Sequence, residues 1–192
     1  MLAIGVLGSG NGSNFQAILD AIDSGALAAR VTGVFSDNAE AFILERARLR
    51  GIAAEIIDGG TFRSRLPEPE EQRLAERLLE VGTDLVVLAG FMRLIRQPLL
   101  DAFPGRIINI HPSLLPRHPG LASWKQALDA GDSVAGCTVH LVDAGMDTGE
   151  ILAQSEVPIL PGDTPETLHA RIQEAEHHLL PHVIATRFAH HV

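Results

Sequence analysis

The sequence predicts an α/β fold built on a mainly parallel β-sheet. Three observations predict it. Short apolar runs alternate with amphipathic segments of helical length, a glycine-rich loop follows the first apolar run, and two strand-like runs near the end lie close together with no helix-length segment between them. Short strands separated by helices of about a dozen residues are the pattern of βαβ units, whose strands lie parallel.

The first strand is Leu2–Leu7, which ends in Gly8-Ser9-Gly10-Asn11-Gly12-Ser13-Asn14. A helical pattern follows, with Phe15, Ile18, Leu19 and Ile22 on one face, and stops near Gly25. Val31–Phe35 reads as the second strand, Ala39–Arg50 as the second helix and Ile52–Ile57 as the third strand. Gly59–Pro69 is a loop, Glu70–Val81 a third helix ending at Gly82, and Asp84–Leu88 a fourth strand. Arg106–Ile110 is strand-like and runs into the proline-rich loop HPSLLPRHPG. Ser123–Ala130 is a short helix. Gly136–Val142 and Glu150–Pro158 are strands, and the short gap between them predicts an antiparallel, hairpin-like pair. Thr164-Pro165-Glu166 has the capping Thr and first-turn Pro of a helix start, and Pro181 predicts a kink in the terminal helix. His190 and His191 read as a frayed tail. No segment has the composition of a linker, so one domain is expected over residues 1–192.

Composition narrows the function classes. At 192 residues the chain can bury one sizeable core. No apolar run reaches the roughly 18 to 20 residues of a membrane span. The opening residues read as a strand entering a glycine loop rather than a leader. The lone Cys137 excludes an intramolecular disulfide and a four-cysteine zinc site, which fits a reducing, cytoplasmic setting. A net charge of −9 argues against general nucleic-acid binding, yet leaves room for an anionic small molecule held by local donors.

Three places can carry chemistry. In GSGNGSN the glycines let backbone N–H groups approach a ligand, and the helix start that follows favours an anion. The spacing is not the dinucleotide fingerprint and no Walker lysine follows, so a phosphate reading is preferred over a bare tight turn. In Asn109-Ile110-His111, strand alternation puts Asn109 and His111 on one face at a strand's end. Such a pair can donate to an oxyanion and move a proton, or can merely satisfy local backbone groups. Asp147 lies between Gly145 and Gly149, where it can be a turn aspartate or a carboxylate that charges a histidine. Other residues have plainer readings. Cys137 is a small buried hydrophobe, His177, His178 and His182 belong to a packed or solvated helix face rather than a metal site, Glu68–Glu71 is a helix N-terminus favoured by the dipole, and Trp124 packs at its helix start.

Taken together, NGSN (11–14), VVLAGFMR (86–93), NIHPSLLP (109–116) and Asp147 resemble the glycinamide ribonucleotide formyltransferase family in order and spacing, over essentially the whole chain. The resemblance implies a Rossmann-like, mixed and mostly parallel sheet flanked by helices, the formyltransferase fold. Residues 1–100 would form a phosphate-binding half, and 101–192 the catalytic and folate-binding half. It implies Asn109, His111 and Asp147 as the catalytic trio. Gly12, Ser13, Asn14, Gln173 and Glu176 would hold the glycinamide ribonucleotide. Arg65, with Arg63 as its rival in a loop about two residues longer than usual, would contact the folate. Met92, Arg93, Leu94, Ile95 and Asn109 would line the folate pocket on one side, and Val142, Asp143, Ala144, Gly145 and Met146 on another. His118 stands where an aromatic residue is common in that family.

The activity implied is transfer of a formyl group from 10-formyltetrahydrofolate to the ribonucleotide amine in purine biosynthesis, with no metal, nucleic acid or membrane partner, by a monomer or homodimer. Asn109 and protonated His111 would stabilise the oxyanion, while Asp147 would raise the His111 pKa and help to relay the proton. The alternatives are a formyltetrahydrofolate deformylase, in which water replaces the amine, and a non-catalytic nucleotide-binding module. A regulatory domain ahead of the first strand is expected of a deformylase, and Leu2 already opens that strand here.

Overall fold

In the computed structural model, residues 1–189 are described; His190 and His191 lie outside them. The elements run β1 (Leu2–Leu7), α1 (Ser13–Asp23), β2 (Ala29–Ser36), α2 (Phe42–Leu49), β3 (Ala54–Ile56), α3 (Glu68–Glu80), β4 (Leu85–Leu88), α4 (Gln97–Ala102), β5 (Ile107–His111), α5 (Ser123–Asp129), β6 (Val134–Leu141), β7 (Ile151–Pro158) and α6 (Pro165–Arg187). The seven strands form one sheet in the order β3-β2-β1-β4-β5-β6-β7. Strands β1 to β5 are parallel, whereas β6 runs antiparallel to β5 and β7 to β6. The predicted hairpin-like pair is therefore present. Its attachment to β5, which the sequence did not reveal, turns a parallel sheet into a mixed one.

Helices cover both faces of the sheet. Leu85 and Val87 of β4 pack into one core with Phe15, Ile18 and Leu19 of α1, Ile43 and Leu44 of α2, and Leu168, Ile172 and Ile184 of α6. Val86 and Leu88 point the other way, into a second core with Leu74 and Leu78 of α3 and Leu99 of α4. Both faces of a central strand are thus apolar, the mark of a buried parallel strand. Each fully buried Leu, Ile or Phe contributes about 1.5–3 kcal/mol of transfer free energy.

Several element limits differ from expectation. Strand β3 is three residues long because it pairs with β2 alone at the sheet's edge. Helix α4 was not foreseen: six residues starting at Gln97, with Pro98 in the first turn, are too few for a periodic signal. Helix α6 continues through Pro181 to Arg187, and the Thr164 cap with its reciprocal Thr167 bond starts it as expected. Glu71 departs from the dipole reading of the acidic run. It is fully buried, its Oε1 accepts from the Arg96 N–H at 2.6 Å, and burial pushes its pKa up. It caps α4 rather than decorating α3. Trp124 of α5 stacks on His169 of α6 with ring centroids 3.7 Å apart and planes 7° apart, which fixes α5 to the sheet's covering helix.

Gly12 is where backbone freedom matters most. It precedes α1 with φ +79°, and a Cβ there would stand 2.7 Å from the Ile43 Cβ. Gly12→Ala should lose about 2 kcal/mol or more, from the left-handed conformation and the overpacking against α2. Urea unfolding of the two proteins measures it. A loss below about 0.5 kcal/mol would show that the loop relaxes away from α2.

Candidate active site

The order of strands reverses beside β1, which has β2 on one side and β4 on the other. Loops leaving neighbouring carboxyl ends diverge at such a point and open a crevice. The glycine loop after β1 lies here and is pinned from three sides. The Ser9 N–H donates to Gly90 O at 3.0 Å, and the Ser9 hydroxyl donates to Asp37 while accepting the Met92 N–H at 3.0 Å. Arg46 of α2 donates to Asn11 O at 2.9 Å, to Asn11 Oδ1 at 2.9 Å and to Gln16 Oε1 at 3.1 Å. This leaves Gly12, Ser13 and Asn14 at the first turn of α1, whose backbone N–H groups have no intrahelical acceptors, beside a guanidinium cation. The arrangement suits an anion. Asn14 Nδ2 donates to Glu176 Oε2 of α6 at 2.9 Å, and Gln173 stands nearly one turn earlier on the same helix, so all five residues assigned to the nucleotide fall together.

The residues assigned to the folate separate into two kinds. Met92 (58% exposed), Leu94 (38%) and Met146 (53%) present apolar side chains at the surface of the crevice loops, whereas Ile95 (4%) is sunk in the second core. Val142 packs half-buried against that core, and Asp143 closes its own loop by accepting from the Gly145 N–H and the Thr148 hydroxyl. The Arg93 guanidinium bonds Asp37 and the carbonyls of Gly59, Phe62 and Arg65. It therefore sutures the 59–65 loop to β2 and β4. Arg65 is half-buried, bridges Leu94 through its backbone and lays its guanidinium over the Phe62 ring at 4.4 Å, while Arg63 is exposed.

The remaining residues meet across the β5–β6 pairing. Asn109 and His140 are directly opposed, as are His111 and Thr138, so their side chains share one face of the sheet. Asn109 Nδ2 lies 3.2 Å from His140 Nε2, and His140 Nδ1 lies 2.8 Å from Leu141 O. The tautomer consistent with both contacts carries its hydrogen on Nδ1 and accepts from Asn109 at Nε2. Asp147, in left-handed conformation with φ 55°, turns its carboxylate back to the strands. Its Oδ2 accepts the Gly120 N–H at 2.9 Å and stands 3.4 Å from His111 Nδ1, and its Oδ1 stands 3.7 Å from His140 Nε2. The other ring nitrogen of His111, Nε2, lies 3.1 Å from His118 O.

His140 was missed by sequence reasoning. The alternation in GCTVHLV places it and Thr138 opposite Cys137 and Val139, but its relation to Asn109 depends on the β6 register, which no local pattern reveals. Asp147 acts on His111 in the expected direction, raising its pKa, but it is not the largest influence. Burial outweighs the Asp147 charge and the His118 carbonyl, so the His111 pKa is held below its ordinary value, with His140 adding to the depression. Burial would raise the Asp147 pKa, yet the His140 contact, the Gly120 N–H and the neighbouring imidazoles together bring it below the usual carboxylate value. The pair at neutral pH is thus a carboxylate and a neutral imidazole. Cys137 is buried, its thiol pushed up to about 12 by burial first and the Glu176 charge second. Among the described residues no group of three or more His, Cys, Asp or Glu side chains is placed to hold a metal ion, and no helix is long and apolar enough to cross a membrane.

Glu176 yields a stability prediction. Burial raises its pKa to about 7, against the Asn14 hydrogen bond that lowers it, while Asn14 Oδ1 is buried with no partner among the described residues. A carboxyl with a raised folded-state pKa contributes stability below the unfolded value of 4.5 and loses it as pH climbs to about 7. Glu176→Gln stays neutral, keeps an acceptor for Asn14 Nδ2 and offers a donor to Asn14 Oδ1. Its stability advantage should be small at pH 4.5, grow through pH 7 and level off near ~3 kcal/mol above it. Chemical denaturation at pH 4.5 and pH 8 checks this, and an advantage independent of pH would contradict the buried-charge account.

Comparison with known proteins follows the same lines. A family model described as Formyl transferase matches residues 2–184. The chain is 44% identical over 180 residues to the phosphoribosylglycinamide formyltransferase of Escherichia coli K12, covering 94% of this chain and 84% of that protein. It is 47% identical over 184 residues to the trifunctional purine biosynthetic protein adenosine-3 of Drosophila pseudoobscura pseudoobscura, covering 95% of this chain but spanning only 13% of that longer protein. The crystal structure of glycinamide ribonucleotide transformylase 1 from Symbiobacterium toebii superposes with a TM-score of 0.91 at 53% identity, over 96% of this chain and 86% of that one. From the matched segment and these relatives, the chain belongs to the formyl transferase family.

Proposed function

We propose that this chain transfers the formyl group of 10-formyltetrahydrofolate to the amine of N1-(5-phosphoribosyl)glycinamide; its relatives are named as formyltransferases of phosphoribosylglycinamide. The observation that carries the reading is the convergence of Asn109, His111 and Asp147 on one face of the β5–β6 pair, on the same carboxyl-end side as the anion-suited turn at Gly12–Asn14. The phosphate sits on the α1 N-terminus, with Gln173 and Glu176 on the nucleotide's flank. The folate lies against Met92, Leu94 and the 142–146 loop, with Arg65 toward its acidic tail. The reaction runs in a reducing cytoplasm and requires no nucleic acid or membrane.

The amine nitrogen attacks the formyl carbon and a tetrahedral oxyanion forms. Asn109 has two Nδ2 hydrogens; His140 engages one, and the other meets the oxyanion. The attacking nitrogen must lose a proton, and the folate nitrogen must gain one, before the bond from the folate nitrogen to the formyl carbon breaks. Neutral His111 takes that proton at Nδ1, between its ring and the Asp147 carboxylate, and returns it to the leaving nitrogen. A depressed His111 pKa suits a group that must accept the proton and then release it. Holding both substrates in one crevice supplies several further kcal/mol.

His111→Ala and Asp147→Asn should each lower kcat by about 10²–10⁴-fold, and Asn109→Ala by about 10²–10³-fold, with little change in the unfolding midpoint. The assay is folate release followed spectrophotometrically with and without the ribonucleotide. Near-normal turnover in any of the three would remove that residue from its role. Release that does not need the ribonucleotide would mean water is the acceptor, as in a deformylase.

A further inference from the structure

The segment 118–120 touches both members of the proton-carrying pair through its backbone. The His118 carbonyl receives His111 Nε2–H at 3.1 Å, and the Gly120 N–H donates to Asp147 Oδ2 at 2.9 Å. A loop can hold two such contacts only if its own backbone is fixed. Here His118 adopts φ 53°, a left-handed conformation costly for a residue with a Cβ. What fixes it lies below the site. The His118 ring Nε2 bonds Asp132 Oδ2 at 2.7 Å, and Arg117 Nη2 donates to Asp132 Oδ1 at 2.5 Å. Ser113 Oγ donates to Arg117 O at 2.7 Å, and Gln126 Nε2 donates to Leu121 O at 2.9 Å. Asp132 follows α5, so it belongs to a different part of the chain from the loop it grips. Its side chain is 9% exposed, and it lines a cavity of about 150 Å³ with Pro112, Ser113, Arg117, His118 and Glu156.

We infer that Asp132 is a positioning residue: through the His118 side chain it locks the 118–120 backbone strap, and the strap sets where His111 and Asp147 stand and how they titrate. This rests on the proposed role of His111 and Asp147 in proton transfer. The direction of the shift at Asp132 agrees with a tight grip, since the His118 hydrogen bond, opposed by burial and helped by Arg117, holds its carboxyl below the ordinary value. Among the described residues, the charged and titratable groups facing the reacting pair and its strap are few. His111 faces Asp147 and His140, Asp147 faces both imidazoles, and Asp132 faces His118 and Arg117. When the strap loosens, His111 loses an acceptor that favours its protonated form, and Asp147 loses a donor that favours its charged form. The His111 pKa should fall and the Asp147 pKa should rise, so the acid limb of the kcat profile, set by the need for neutral His111 and charged Asp147, comes to follow Asp147 more closely.

The test compares Asp132→Asn, His118→Phe and the double variant with the parent protein. Each single variant should lower kcat about 10- to 100-fold with KM for either substrate within about threefold, and the double variant should be no worse than the worse single one, because both cut the same link. In the protein without substrate, the His111 ring should titrate at least half a pH unit lower in each variant by NMR. That measurement stands whether or not the formyl transfer reading does. An unshifted His111, or independent kcat losses that multiply, overturns the proposal. So does an upward shift, which would mean that Asp132 only keeps water from the site. If Asp132→Asn does not fold, His118→Phe alone decides through the same titration.

Discussion

The antiparallel pairing of β6 with β5 is the constraint on which the site depends. Up to β5 every strand is parallel and the sheet could serve any ligand that suits its crevice. Reversing direction at β6 puts two strands into direct opposition, and opposed residues share a face. Asn109 meets His140 and His111 sits against Thr138 without any loop having to place them. A one-residue slip would send His140 to the other side of the sheet and bring Val139 into the site. The register is held by the first core, which receives Ile108, Ile110, Cys137 and Val139 from the same two strands. Packing on one face thereby specifies chemistry on the other.

Burial governs the electrostatics. His111 is 5% exposed, so solvent does little to stabilise charge on it. The half-buried carboxylate of Asp147 keeps a donor in the Gly120 N–H, and its pKa stays below the usual carboxylate value. The imidazole of His111 stays neutral because one carboxylate and one carbonyl do not fully offset its desolvation. Both groups are shifted down, which leaves a charged carboxylate beside a neutral imidazole able to take up a proton. The raising effect of Asp147 on His111 was legible in the sequence; the burial that outweighs it was not, since a charge is visible in a sequence and a depth of burial is not.

Most of the fold was legible. Leu2–Leu7, Asp84–Leu88 and the helix faces between them repeat with periods that follow from strand and helix geometry, and these elements stand within three residues of their expected limits. The motifs Asn109-Ile110-His111 and Gly12-Ser13-Asn14 were legible because chemistry and local spacing coincide in them. What the sequence hid was long-range. Helix α4 is too short to show a period, and Glu71, its buried cap, lies 25 residues from Arg96. Arg93, which the resemblance places on the folate pocket's wall, bonds Asp37 and three carbonyls from segments 28 to 56 residues away. The contacts of His140 with Asn109 and of Asp132 with His118 join segments 31 and 14 residues apart. No local pattern encodes such pairs, because tertiary packing alone brings them together.

Trp124 is the chain's single tryptophan, and tyrosine is absent altogether. The neighbouring Ser123 hydroxyl donates to Pro112 O at 2.6 Å, one residue beyond His111, and the indole itself lies flat on His169. Emission excited in the indole band therefore arises at one known place, coupled on one side to the loop that carries the site and on the other to an imidazole. The protein has its own optical reporter, and ligand entry can be timed without attaching a dye.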